Sequence, residues 1–138
     1  MSTIKSYTDL EQSKALVKIL PIESANMCWY IDDNNIPTHT PDNGFYRQDK
    51  NHLPCWSFAA LLKALSTLLD AMPKDESIEC SISFSYYNSK GEYIKKWLCA
   101  FEKEGETTDD YIIETFDGDN PVDACYQMVI RLKEMNLI

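Results

Sequence analysis

The last twenty residues restrict the fold of this chain more than any other segment. Asn120 suits a helix N-cap, because its side chain can accept from an orphan backbone N–H. Pro121 follows at the first helical position, where its missing N–H costs nothing. Asp123 sets negative charge at the positive end of the helix dipole. Behind that start, Val122, Cys125, Met128, Val129, Leu132 and Met135 recur at helical spacing. A helix with one apolar stripe needs a surface to bury it against, so the rest of the chain must supply one.

The surface is expected from three strands. Ile78, Cys80, Ile82, Phe84 and Tyr86 alternate with Glu79, Ser81, Ser83 and Ser85, the pattern of a half-buried strand. Asn88-Ser89-Lys90-Gly91 turns the chain, Glu92 to Phe101 returns, and Tyr111 to Phe116 adds a third strand. A three-residue loop Ser89-Lys90-Gly91, with Gly91 at positive φ, pairs Asn88 with Glu92. That register sends Ile82, Phe84, Ile94 and Leu98 to the core. Tyr93, Trp97 and Phe101 then form an aromatic strip on the opposite face, a candidate interaction surface that a loop or a partner covers. A slip of one residue exchanges the two sets.

Upstream, Thr8-Asp9-Leu10-Glu11 reads as a capping box for a helix through Leu16, Val17 and Leu20, ended by Pro21. Met27 to Ile31 reads as a short strand. Asp32 to Pro54 shows no period and is expected to be a long irregular loop. Phe45 and Tyr46 inside it anchor the loop to the body or serve as interface anchors. Ser57 then caps the strongest helix, whose stripe is Phe58, Leu61, Leu62, Leu65, Leu68, Leu69 and Met72. Pro73 lies past its end. The order α-β-α-β-β-β-α implies an α+β domain: one antiparallel sheet of three or four strands, with about three helices mainly on one face.

At 138 residues a single globular domain over 1–138 is expected. No apolar run is long enough for a membrane span, and Met1 to Asp9 hold no apolar signal core. The five cysteines include no C-x-x-C pair and are expected to be reduced in a cytoplasmic protein. Charge is uneven. Between Glu102 and Asp123 lie nine acids, among them Glu104, Glu106, Asp109 and Asp110, against the single base Lys103. Such a surface repels phosphate, which argues against direct nucleic-acid binding. It is either a solvated loop or an acidic patch for a basic partner.

Chemistry-bearing motifs are sparse. His39, Asp42, His52 and Cys55, with Asp32 and Asp33, gather residue types that bind zinc, but their spacing matches no zinc pattern. Cys55 near His52 could form a nucleophile–base pair, although Pro54 and Trp56 beside it suit packing better. Asp117-Gly118-Asp119-Asn120 opens like a calcium loop, then departs from it at Pro121 and Val122. No phosphate-binding glycine motif and no nucleophile elbow is present.

Several segments together resemble an uncharacterised family of short proteins, widespread in gut anaerobic bacteria and their phages and mobile elements. They are Thr8-Asp9-Leu10-Glu11-Gln12-Ser13-Lys14, Glu23-Ser24-Ala25-Asn26-Met27, Leu53-Pro54-Cys55-Trp56-Ser57-Phe58-Ala59-Ala60-Leu61-Leu62 and Asp119-Asn120-Pro121-Val122-Asp123-Ala124-Cys125. Asn26 stands where similar chains carry Asp. The resemblance implies a cytoplasmic, mobile-element origin and no activity, substrate or cofactor. The expectation is therefore a small non-enzymatic module that binds an unknown protein partner, with no cofactor. Two alternatives are an acidic decoy of a basic partner, such as a nuclease or DNA-binding protein, and a metal protein or enzyme built on His39, His52 and Cys55. An open strand edge could also pair two copies into a homodimer.

Overall fold

The computed structural model describes residues 5–43, 49–72, 77–104, 111–117 and 120–138. The helices are α1 (Leu10–Leu16), α2 (Phe58–Asp70) and α3 (Pro121–Glu134), with a 3-10 turn at Ile22–Ser24. The strands are β1 (Met27–Ile31), β2 (Pro37–Asn43), β3 (His52–Cys55), β4 (Ser77–Ser89), β5 (Glu92–Glu104) and β6 (Tyr111–Asp117). The class is α+β, as the patterning implies. The expected single sheet is instead two antiparallel sheets of three strands, in the orders β2-β1-β3 and β4-β5-β6. The chain divides into two compact units, one of Ser6–Ala64 and one joining Lys5 to Leu65–Ile138. Among the described residues no helix is long and apolar enough to cross a membrane.

The Ser6–Ala64 unit is organised around a buried hydroxyl. Sequence spacing makes Thr8 the cap of α1, but the cap is Asp9, one residue later. Asp9 accepts from the Gln12 N–H at 2.8 Å, and the Gln12 side chain accepts from the Asp9 N–H at 3.0 Å. This is a full capping box, shifted by one position. Thr8 is released for another task. Fully buried, its Oγ1 shares a hydrogen bond with Ser13 Oγ at 2.8 Å and accepts from the Trp56 N–H at 3.1 Å. Its backbone N–H donates to the Trp56 carbonyl at 2.9 Å, and its own carbonyl accepts from Trp29 Nε1 at 3.1 Å. One residue thus ties the start of α1 to β1 and to the end of β3.

Residues 32–54, expected to be irregular, contain β2 and β3. The turn between β1 and β2 is made by Asp32, whose Oδ1 accepts from the N–H groups of Asn34 and Ile36 at 2.8 and 3.0 Å. Asn35 sits at φ 61°, a left-handed position that asparagine tolerates better than most residues. Strand β2 is exposed at every position except Pro41, so it carries no apolar alternation. Pro37 and Pro41 also lower its strand propensity, and prolines are accepted on an edge strand such as this.

Helix α2 begins as expected, with Ser57 Oγ accepting from the Ala60 N–H at 3.1 Å. Asn26 fixes that cap from both sides. Its Nδ2 donates to Ser57 Oγ at 2.8 Å and its Oδ1 accepts from the Ser57 N–H at 3.0 Å.

In the second unit, α3 starts as the sequence dictates. Asn120 Oδ1 accepts from the Asp123 N–H at 3.0 Å, and Pro121 stands in the first turn. Lys5 pairs with Asp123 at 2.6 Å. Val122, Cys125, Met128, Val129 and Leu132 are buried, whereas Met135 is 40% exposed past the last turn. The helix packs on β5 and β6.

The hairpin register is the alternative to the one preferred from sequence. Ser89 pairs with Glu92 across a two-residue turn, and Asn88 pairs with Tyr93. Lys90 and Gly91 have φ of 53° and 84°, the double left-handed geometry of a type I′ turn, whose twist matches its strands. The one-residue shift places Trp97 opposite Phe84 and Phe101 opposite Cys80. Opposed residues share a face, so Trp97 and Phe101 lie with Cys80, Ile82 and Cys99. Phe101 is fully buried and Trp97 half-buried, while Ser81 and Ser83 on the other face are exposed. The expected outer aromatic strip is therefore not formed by Trp97 and Phe101.

Removing the Thr8 hydroxyl without changing shape leaves the buried Trp56 N–H and the Ser13 hydroxyl short of a partner. Thr8→Val should lower unfolding free energy by about 1–3 kcal/mol, whereas Thr8→Ser should stay near wild type. Urea denaturation of the pair checks this, and equal midpoints would remove Thr8 from its central position.

Candidate functional site

Pairing in the first sheet sets Tyr30 on β1 opposite both His39 on β2 and His52 on β3. Residues opposed across strands point to one face, so the chain's two histidines flank one tyrosine. The Tyr30 and His39 rings stack at 4.4 Å between centroids and 24° between planes. His52 meets Tyr30 edge-on at 5.0 Å and 68°. The β1–β2 ladder shifts register on both sides of Tyr30, and bulges of this kind re-aim side chains beside functional sites.

Asp49 orients the row. Its Oδ1 lies 2.6 Å from His52 Nδ1. That hydrogen bond, with one from the Asn51 N–H, holds the Asp49 carboxyl below the usual carboxylate range. An ionised carboxylate only accepts, so Nδ1 of His52 carries the proton and donates. At the other end, Thr38 Oγ1 stands 3.1 Å from His39 Nδ1 and donates to the Tyr30 carbonyl at 3.3 Å. His39 is exposed, and Tyr30 and His52 are half-buried. The result is a pre-ordered row of three rings across three strands. Ile36, 57% exposed, stands in the turn of the same hairpin.

The structure brings His39 and His52 together through Tyr30 but separates Cys55 from them. Positions 52 and 55 fall on opposite faces of β3. Cys55 is fully buried, and its thiol donates to the Thr8 carbonyl at 3.4 Å. No Cys55–His52 dyad exists. Asp42 pairs in register with Cys28, Asp32 makes the turn, and Asp33 pairs with Lys50 at 3.2 Å. Among the described residues no group of three or more His, Cys, Asp or Glu is arranged to hold a metal ion.

Four of the five thiols hold their protons more tightly than an ordinary thiol. Burial pushes Cys28 and Cys55 up. Cys80 on β4, Cys99 on β5 and Cys125 on α3 form a hydrogen-bonded chain. The bond with Cys99, then burial, raises Cys80, and the bond with Cys125 pushes Cys99 up to about 12. A thiolate is the reactive form, and the upward shifts of Cys28, Cys55, Cys80 and Cys99 disfavour it near neutral pH.

Of the other surface residues expected from sequence, Phe45, Tyr46, Glu106, Asp109 and Asp110 lie outside the described residues. The backbone of Tyr93 pairs with Asn88 and that of Glu104 with Ser77, and Glu102 is half-buried. Asp123, the last acid of the charged stretch, is engaged by Lys5 and Asn120. Sequence reasoning missed Tyr30 and Asp49. The first sits in an apolar run that reads as core. The second has one available signal, its place three residues before His52.

Raised thiol pKa values have a pH signature. A thiol that holds its proton more tightly when folded gives stability that is complete below its unfolded value of 9.0 and is lost as pH rises toward the folded value. The denaturation midpoint should fall between about pH 8 and about pH 10.5, and less steeply in Cys99→Ala. Equal slopes in the two proteins would mean that Cys99 titrates as an ordinary thiol. Comparison with family models, curated proteins and solved structures found no match to this chain.

Proposed function

We propose that this chain is a non-enzymatic protein-interaction module that docks its partner on the Tyr30 face of the β2-β1-β3 sheet. The observation that carries the reading is the row His39–Tyr30–His52, held in line by Asp49 on a sheet whose edge strand β2 is exposed. Aromatic rings fixed before binding lose little conformational freedom on contact, which is why such residues anchor interfaces. The upward shifts of Cys28, Cys55, Cys80 and Cys99 favour recognition over thiolate chemistry. Five free cysteines, four of them buried, suit a reducing cytoplasmic setting, and the resemblance to mobile-element proteins points the same way.

The acidic-decoy reading rests on the sequence of Glu102–Asp123, and the ion pair of Asp123 with Lys5 weakens it at one position. The two readings differ in salt response. Contacts made by stacked rings persist at high salt, whereas a purely acidic interface weakens as the Debye length shrinks.

The test is affinity capture from native-host lysate at low and high salt, with wild type beside Tyr30→Ser/His39→Ser. Both proteins are first checked for the same thermal melt. A protein held by wild type at both salts and lost by the variant is the expected result. A protein that binds both equally would overturn the Tyr30 face, and loss at high salt alone would favour the acidic stretch.

A further inference from the structure

Strand β4 runs 13 residues at the edge of the β4-β5-β6 sheet, paired on one side to β5 along its whole length. Among the described residues no strand pairs with its other side. The two-residue turn fixes which backbone groups are free. Ser89 and Glu92 close a type I′ hairpin and form a hydrogen-bonded pair, so bonding to β5 alternates from there. The N–H and C=O groups of Ile78, Cys80, Ile82, Phe84, Tyr86 and Asn88 therefore point to the open edge.

Exposed edges are usually blunted by proline, lysine or short length. Both edges of the first sheet follow this rule, with Pro37 and Pro41 in β2 and Pro54 in β3. Strand β4 has no proline, no lysine and one residue charged at neutral pH, Glu79. Charge along the hairpin is polar. Near the Ser77 end the register gathers Glu79, Glu102 and Glu104 against Lys103. Near the turn stand Lys90, Lys95 and Lys96 against Glu92. One end is net acidic and the other net basic.

We infer that β4 is a dimer seam: two copies of this chain pair antiparallel through their β4 edges into one continuous six-stranded sheet. Antiparallel pairing about a two-fold axis lays the acidic end of each copy beside the basic end of the other. A parallel arrangement would set like charge on like. Glu79 meets Glu79 only in a register confined to Ser77–Ser81, so any longer overlap avoids that contact. Ser81 and Ser83, exposed beside the centre, add no charge to the seam. This seam lies on a different sheet from the Tyr30 row and stands or falls without it.

The test is sedimentation equilibrium of the whole chain from about 1 to about 100 µM, a range that brackets common dimer affinities. Wild type should approach twice the 15.9 kDa chain mass. Ser81→Glu/Ser83→Glu places acid against acid near the two-fold axis and should return the mass to one chain with an unchanged circular dichroism spectrum. Wild type that stays at one chain mass throughout, or a folded variant that stays at two, overturns the seam. Should the variant unfold, amide exchange of wild type decides. Ile82 and Phe84 N–H should exchange more slowly at high concentration than at low, and concentration-independent exchange also overturns it.

Discussion

Thr8 is the point on which the Ser6–Ala64 unit depends. Its hydroxyl and both of its backbone polar groups are spent on the buried Trp56 and Ser13 and the half-buried Trp29. Each of those partners would carry an unmet donor or acceptor if Thr8 moved, and a buried unmet polar group costs more than the bond itself contributes. Around this residue the other features fall into place. Asp9 is free to cap α1 because Thr8 is not needed there. Cys55 has its thiol turned toward Thr8 and away from the outer face of the sheet. Trp56, fully buried, reaches Ser24 with its indole N–H at 2.9 Å and brings Ser57 to the start of α2.

Elements whose signal is local were legible in the sequence. Asn120, Pro121 and Asp123 act through groups three residues apart, and α3 forms where they place it. Ser57 and the stripe of α2 are of the same kind. What sequence spacing missed depends on distant partners. Thr8 looks like a cap until Trp56, 48 residues on, takes its hydroxyl. Strand β2 has no apolar alternation because almost nothing buries it, so its pairing with β1 leaves no trace in periodicity. The hairpin register turned on whether Lys90 would accept φ 53°, a choice that gains a better-twisted turn at the cost of one strained residue.

The same one-residue choice redistributed the candidate surfaces. With Phe101 buried and Trp97 half-buried on the Cys99 side, the second sheet loses the strip that sequence spacing suggested. The aromatic face appears on the first sheet, where cross-strand pairing puts Tyr30 between His39 and His52. Residue type pointed to these histidines through metal chemistry. Geometry sets them in a ring row instead, because Tyr30 stands between them and Cys55 lies on the opposite face.

The reach of the Thr8 and Asn26 bonds governs how this chain comes off the ribosome. Helix α1 has seven residues, too few to persist alone in water. Its anchor lies at Trp56, and the Asn26 side chain waits for Ser57. No nascent chain that ends before these residues can close either contact. Completion of the first unit is therefore held back until Ser57 has left the exit tunnel. The β4–β5 hairpin closes across two residues and meets no such delay, since a short loop pairs within microseconds. The β4–β5 pairing of the later-made half needs no distant partner, whereas the Thr8 and Asn26 contacts of the earlier-made half wait for Trp56 and Ser57.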